Sequence, residues 1–256
     1  MAALLKPQGS LTFIQNSEKT NAKGYAKSQE IPSKKYFEIP TVLRHICDLN
    51  NKTVLDMGCG VGKYCRLFIQ LGAKSIVGYD ISSQMIQRAK RMTGPVLDNI
   101  SYHVGDVSHR KKWGSFDVVT CIWAILMIQK DTDFVSAFKN AYDNLNEGGQ
   151  FYLFEIMHPG TEDGLEKLKI ACEQVGNKLE VLNRDPAACR ISLKIGNRTV
   201  TFDTYIRHEH SYKDAFKQAG FKDVKCLPVE PSKDAPQGLE GHAELAKYQR
   251  LWIGTK

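Results

Sequence analysis

The stretch Val54-Leu55-Asp56-Met57-Gly58-Cys59-Gly60-Val61-Gly62, answered about twenty residues later by Tyr79-Asp80, decides the fold. An apolar pair runs into an acid, three glycines then alternate with other residues, and a helix-like run opens at Lys63. Glycines in this register give a tight strand-to-helix turn whose backbone a ligand can lie against. Asp80 closes a second short apolar run, Ser75-Ile76-Val77-Gly78. In a doubly wound sheet an acid so placed stands beside the first turn, within reach of a ribose diol. The dinucleotide spacing G-x-G-x-x-G does not fit, because the third glycine comes one residue early and Lys63 fills the expected position. The G-x-x-x-x-G-K-[ST] phosphate loop is absent as well.

Outward from that core, the pattern alternates strands and helices. Residues 36–49 carry Phe37, Val42, Ile46 and Leu49 at helical spacing. A first strand over 53–57 leads into a helix from Gly62 to Leu71, stopped by Gly72, and a second strand covers 75–79. Ser82 and Ser83 offer an N-cap for the next helix, which runs to Met92, and Ile100 to Val104 forms a third strand. Phe116 to Trp123 is nearly all apolar, as suits a central strand covered on both faces. A helix over 133–145 and an Asn146-Glu147-Gly148-Gly149 turn precede a fifth strand, 150–155. Beyond it, two alternating runs, 190–195 and 198–205, flank Gly196-Asn197 as a hairpin. Ser211 is a plausible N-cap for a further helix ending at Gly220. Strands at 223–227 and 250–254, separated by a Pro/Gly-rich loop over 228–241, complete a set of seven.

The first strand-turn-helix, with its acid two residues before the first glycine and Asp80 at the right distance, resembles the class I S-adenosylmethionine-dependent methyltransferases. The Gly148-Gly149 turn supports this, with Glu147 where the family commonly has proline. The resemblance implies an α/β fold: a seven-stranded Rossmann-like sheet with helices on both faces, plus a β-hairpin insertion after strand five. It divides the chain into a flexible arm, residues 1–35, and a methyltransferase domain, residues 36–256, with 157–210 covering the substrate. S-adenosyl-L-methionine is the implied cofactor. Asp56 would orient the glycine loop or receive the methionine ammonium, Gly58, Gly60 and Gly62 allow close approach, and Asp80 holds the ribose. Ile81 and Met85 lie against the adenine, although Met85 suits plain core as well. Asp106 accepts from the adenine amino group, or else caps its own turn, while the backbone N–H of Val107 meets the ring. Cys121 lies near the sulfonium, or is only a small buried side chain. From the arm, Tyr25 or Tyr36 would reach the methionine end.

The sulfonium methyl is already activated, so holding a nucleophile in line supplies up to about 7–11 kcal/mol of the barrier. A general base adds about 10²–10⁴-fold where the nucleophile carries a high-pKa proton. His158 and His208, at the ligand edge of the late strands, are the candidate bases because imidazole titrates near neutrality. Trp123, Glu155, Tyr205 and His210 are the candidate substrate contacts, and no metal is expected.

Other branches of the family are tested by absence. No Asp/Asn/Ser-Pro-Pro-aromatic follows the fourth strand, no cysteine follows a proline, and no paired glutamates lie between Asp117 and Asn146. The expected substrate is therefore a small molecule methylated on oxygen or nitrogen. An RNA or protein methyltransferase and a non-catalytic cofactor-binding module are the rival readings. At 256 residues one α/β domain with an insertion is sufficient. The net charge of +7 is spread in short clusters without an aromatic-interleaved stripe, which makes nucleic acid an unlikely partner. No apolar run is long enough to span a membrane, and seven cysteines without metal spacing fit a reducing cytoplasm.

Overall fold

The computed structural model describes residues 31–95, 98–184, 187–195 and 198–256. Tyr25 and the rest of the arm up to residue 30 lie outside the described residues. The described chain opens with a π-helical turn, Lys34–Glu38, that runs into α1, Ile39–His45, with Pro40 in its first turn. The elements β1 Thr53–Met57, α2 Lys63–Gln70, β2 Ser75–Asp80, α3 Ser83–Thr93 and β3 Ile100–Val104 follow. Next come β4 Phe116–Ile122, α4 Asp131–Asp143 and β5 Leu145–Ile156.

After β5 the chain makes α5 Glu162–Gln174, then β6 Lys178–Arg184, β7 Ala187–Ile195 and β8 Arg198–Ile206. It closes with α6 Glu209–Ala219, β9 Lys222–Pro228, α7 Glu240–Ala246 and β10 Gln249–Thr255. The main sheet has seven strands in the order β3-β2-β1-β4-β5-β10-β9. Neighbours from β3 to β5 are parallel, and β10 runs antiparallel between β5 and β9.

Alternation along the central strands sends side chains to two cores. Leu55, Met57, Val119 and Phe151 face one, where α4 and α6 supply Phe134, Phe138, Tyr212 and Phe216. Val54, Val118, Tyr152 and Phe154 face the other, under α1, α2 and α3. The helices thus lie on both faces, as the sequence predicts.

The hairpin insertion after β5 is present, and two other expectations are corrected. The hairpin is the larger part of a three-stranded antiparallel sheet, β6-β7-β8, in which Ile191 pairs with Phe202 and Leu193 with Val200. The first cap of α6 is His208, not Ser211. Ser211 already lies inside the first turn, and its N–H bonds the His208 carbonyl. Residues 146–149 belong to β5 rather than to a free turn. Ser82 caps α3 as predicted, its Oγ accepting from the Met85 N–H at 3.3 Å.

A third, smaller core joins α5 to the added sheet through Leu168, Cys172, Leu179, Cys189 and Ile191, with Leu126, Ile156 and Leu245 from outside the insertion. None of the described helices is long and apolar enough to cross a membrane. Phe138 is fully buried and packs edge-on against Phe134, Phe151 and Phe216. Phe138→Ala should therefore cost about 3–5 kcal/mol, read as a lowered denaturant midpoint at unchanged slope.

Candidate active site

The glycine turn is pinned to the end of β2. The N–H groups of Gly58 and Cys59 both donate to the Tyr79 carbonyl, at 2.8 and 2.9 Å. Asp80 completes the join: one carboxyl oxygen accepts from the Gly60 N–H and the other from the Ser82 N–H, each at 2.9 Å. Gly58 and Gly62 have left-handed backbones at φ +72°. A Cβ on Gly58 would collide with that of Ala124, and one on Gly62 with the Tyr102 ring. Side chains other than hydrogen are excluded there by both strain and space.

Burial pushes the Asp80 carboxyl up to about 6, against the two backbone donors that favour its ionised form. Asp56, 3% exposed, accepts from Thr120 Oγ1 at 2.8 Å and Cys65 Sγ at 3.2 Å, and burial raises it to about 6 as well. Along the cleft, Asp106 uses one oxygen to cap its own turn, accepting from the Ser108 N–H and hydroxyl at 2.8 and 2.7 Å. Asn140 of α4 fixes that turn by donating to the carbonyls of Val107 and His109 at 3.1 Å. Gly58, Gly60, Asp80, Met85, Asp106 and Val107 line one cleft of about 920 Å³, closed on its far side by Trp123 and residues 127–130.

A second chamber of about 1180 Å³ adjoins it and shares Met85, Trp123 and Met127 with the cleft. Its other walls include Leu193, Val200 and Phe202 of the added sheet, Ile156 and Leu245, and Glu38 near the start of the described chain.

The family of methyltransferase domains matches residues 54–149. A tRNA U34 carboxymethyltransferase from Shewanella sediminis is 25% identical over 201 residues, 77% of this chain and 52% of that protein. The chain spans about half the length of the first relatives it matches. An S-adenosylmethionine-dependent methyltransferase from Mesorhizobium loti superposes with a TM-score of 0.62 at 18% identity, over 86% of this chain and 97% of that one. A chain from the complex of the Haloferax volcanii Trm112 methyltransferase activator with a methyltransferase superposes at 0.65 and 18%, over 94% and 96%. These likenesses establish the fold as that of the class I S-adenosylmethionine-dependent methyltransferases.

The fold brings together most of the residues singled out in the sequence, and not all. Gly58, Gly60, Asp80, Ile81, Met85, Asp106, Val107 and Trp123 line the cleft. Asp56 sits beneath it, and Cys121 is fully buried in the core against the glycine strand, paired in register with Met57. Tyr36 lines neither cavity, and its carbonyl accepts from the Ser232 N–H at 2.7 Å.

The histidines lie elsewhere. His158 and His208 meet at a tilt with ring centroids 3.9 Å apart, and His210 stacks on His208 at 5.4 Å, yet none of the three lines the cleft or the chamber. The His158 N–H donates to the Arg207 carbonyl at 2.9 Å, so the pair ties together the two ends of the insertion. Tyr205 also stands outside both cavities.

Glu155 is fully buried and accepts from the Ile125 and Leu126 N–H groups at 3.0 and 3.3 Å, and burial drives its carboxyl well above the usual range. Sequence reasoning missed Glu38, Met127 and Arg207. Arg207, 2% exposed, donates to the carbonyls of Ile128 and Gln129 at 2.8 Å and to Asp131.

Asp56 and Asp80 make the ligand-free fold sensitive to pH. Both carboxyls are raised in the folded state, from 3.8 to about 6. Their contribution is therefore full below about pH 4 and is lost as pH rises through 6. Each is worth at most about 3 kcal/mol. Urea unfolding at pH 4, 5 and 6.5 should show a steeper loss in the parent than in Asp56→Asn.

Proposed function

We propose that the chain binds S-adenosyl-L-methionine in the cleft and transfers its methyl to an oxygen or nitrogen of a small molecule held in the adjoining chamber. The shared wall of Met85, Trp123 and Met127 carries this reading, because it sets two cavities side by side at the C-terminal edge of the parallel strands. The residues present fit the cofactor. Asp80 keeps an unused lone pair on each oxygen for a ribose diol, the glycines leave room for close approach, and Met85 offers an apolar face to a flat base. When bound, the cofactor supplies an electrophilic methyl. The chain's own part is to hold the acceptor in line and keep water away. Residues 157–210 cover the chamber, since one face of β7 and β8 forms its wall.

The relative named as a tRNA U34 carboxymethyltransferase and the net charge of +7 favour RNA as the second reading. Filter binding with tRNA at 50 and 200 mM salt separates the two. An RNA enzyme making several phosphate contacts should lose about 10³-fold or more in affinity across that range, whereas this reading expects no specific retention at either salt.

Asp80→Ala should weaken binding of S-adenosylhomocysteine by about 100-fold or more in calorimetry, two hydrogen bonds to a charged group being lost. His158→Ala and His208→Ala should keep that affinity within about threefold and reduce turnover less than Asp80→Ala does. The ribose hydroxyls donate to the ionised form of Asp80. Cofactor affinity should therefore be full above the carboxyl's value of about 6 and fall about tenfold per pH unit below it, and Asp80→Asn should remove that dependence.

A further inference from the structure

The chamber's walls are almost entirely apolar where the added sheet and residues 126–127 face it, yet a carboxyl group stands among them. Glu38 is 2% exposed. One of its oxygens accepts from Trp123 Nε1 at 2.6 Å and the other from the Tyr64 hydroxyl at 2.9 Å. Both donors are neutral, and both oxygens retain a second acceptor site. A buried carboxyl of this kind costs free energy unless its hydrogen bonds are completed.

Three features converge on the group. The π-helical turn Lys34–Glu38 ends on it, and such turns are rare and frequently sit at functional sites. Trp123 reaches it from a left-handed backbone, φ +62°, an uncommon conformation for a bulky residue and one that the surrounding structure must hold in place. Trp123 also belongs to the wall shared with the cofactor cleft. Glu38 therefore faces the chamber beside the partition across which a methyl would pass.

Building on the proposed small-molecule activity, we infer that Glu38 is the residue that selects the substrate's polar head. It takes up an N–H or O–H of a mainly apolar molecule whose body lies along Leu193, Val200 and Phe202. The substrate class is an apolar amine or alcohol, not a carboxylic acid, which would set two acceptors against each other in a buried site. Lys34 and Gln249 line the same chamber, and Tyr64 and Trp123 hold the carboxyl in place. The polar end of the chamber thus offers acceptors at Glu38 and Gln249, while Lys34 already has a partner of its own.

The test uses the full chain with S-adenosylhomocysteine bound, and three probes of similar size: 2-phenylethylamine, 2-phenylethanol and 3-phenylpropanoate. Binding is read by saturation-transfer NMR titration. In the parent the amine and the alcohol should each bind at least tenfold more tightly than the carboxylate. Glu38→Gln should shrink the amine's advantage about tenfold while leaving S-adenosylhomocysteine affinity and the unfolding midpoint near those of the parent.

Equal or tighter binding of the carboxylate by the parent overturns the inference, and this measurement does not depend on any variant folding. An unchanged ranking in a folded Glu38→Gln overturns it too. In both cases a saturable apolar site leaves the small-molecule reading standing. Absence of binding by all three probes, with S-adenosylhomocysteine bound normally, brings down the inference and the small-molecule reading together.

Discussion

The site depends on one join, the attachment of the glycine turn to the end of β2. Parallel pairing sets Met57 opposite Tyr79, which brings the turn level with the last residues of its neighbour. Two backbone donors then meet one carbonyl, and the Asp80 carboxyl spans from Gly60 to Ser82. The glycines themselves contribute no side chains to the join, while Cys59 and Val61 between them are buried. The cost is a carboxyl held where it is 7% exposed and raised to about 6. A buried acid that already accepts two N–H groups is oriented before any ligand arrives.

A second set of polar contacts positions the opposite wall. The segment after β4 forms a short 3₁₀ turn, Ile125–Met127, and borders both cavities. Glu155 receives its N–H groups, the Thr204 hydroxyl donates to the Leu126 carbonyl at 3.0 Å, and Arg207 takes the carbonyls of residues 128 and 129. Thr204 and Arg207 come from the far end of the insertion. The added sheet is therefore part of what shapes the cofactor cleft, and a change in it is felt on both sides of Trp123. Arg207 also stacks over Phe134, its guanidinium 4.3 Å from the ring centre, so it links the same wall to the main core.

The central strands of the main sheet were legible because strands covered on both faces read as nearly unbroken apolar runs. The turn residues between them also carry their own signatures. Helix α5 had a signal that was passed over: Thr161 caps it, accepting from the Gly164 N–H at 3.1 Å, and Leu165, Leu168 and Cys172 recur at helical spacing. Helix α7 is only seven residues long with two buried positions, too short to show a period. In β7 and β8 the alternation identified a hairpin, and it also predicts which face is apolar. Ile191 and Leu193 stand opposite Phe202 and Val200 on the chamber side, while Arg190 pairs with Asp203 on the outer side. Glu38 was not legible. Its partners lie 26 and 85 residues away, and nothing in a polar segment distinguishes one acid from another.

The histidines show the opposite case, a choice made on residue type alone. Imidazole titrates in the right range, and three of them cluster just past β5 and β8, yet the backbone closes the insertion there and turns their rings onto one another. The division between the two cavities explains why one half of the site could be read and the other could not. The methyltransferase family match covers residues 54–149, and within it fall the glycine turn, Asp80, Met85, Asp106 and the Trp123 partition. Glu38, Ile156, Leu193, Val200, Phe202 and Leu245, the residues that give the chamber its shape and its carboxyl, all lie outside it. Similarity carried by that domain therefore speaks to how the cofactor is held. The chamber beside the cleft is shaped by segments outside that match, and Glu38 is the buried carboxyl they bring to it.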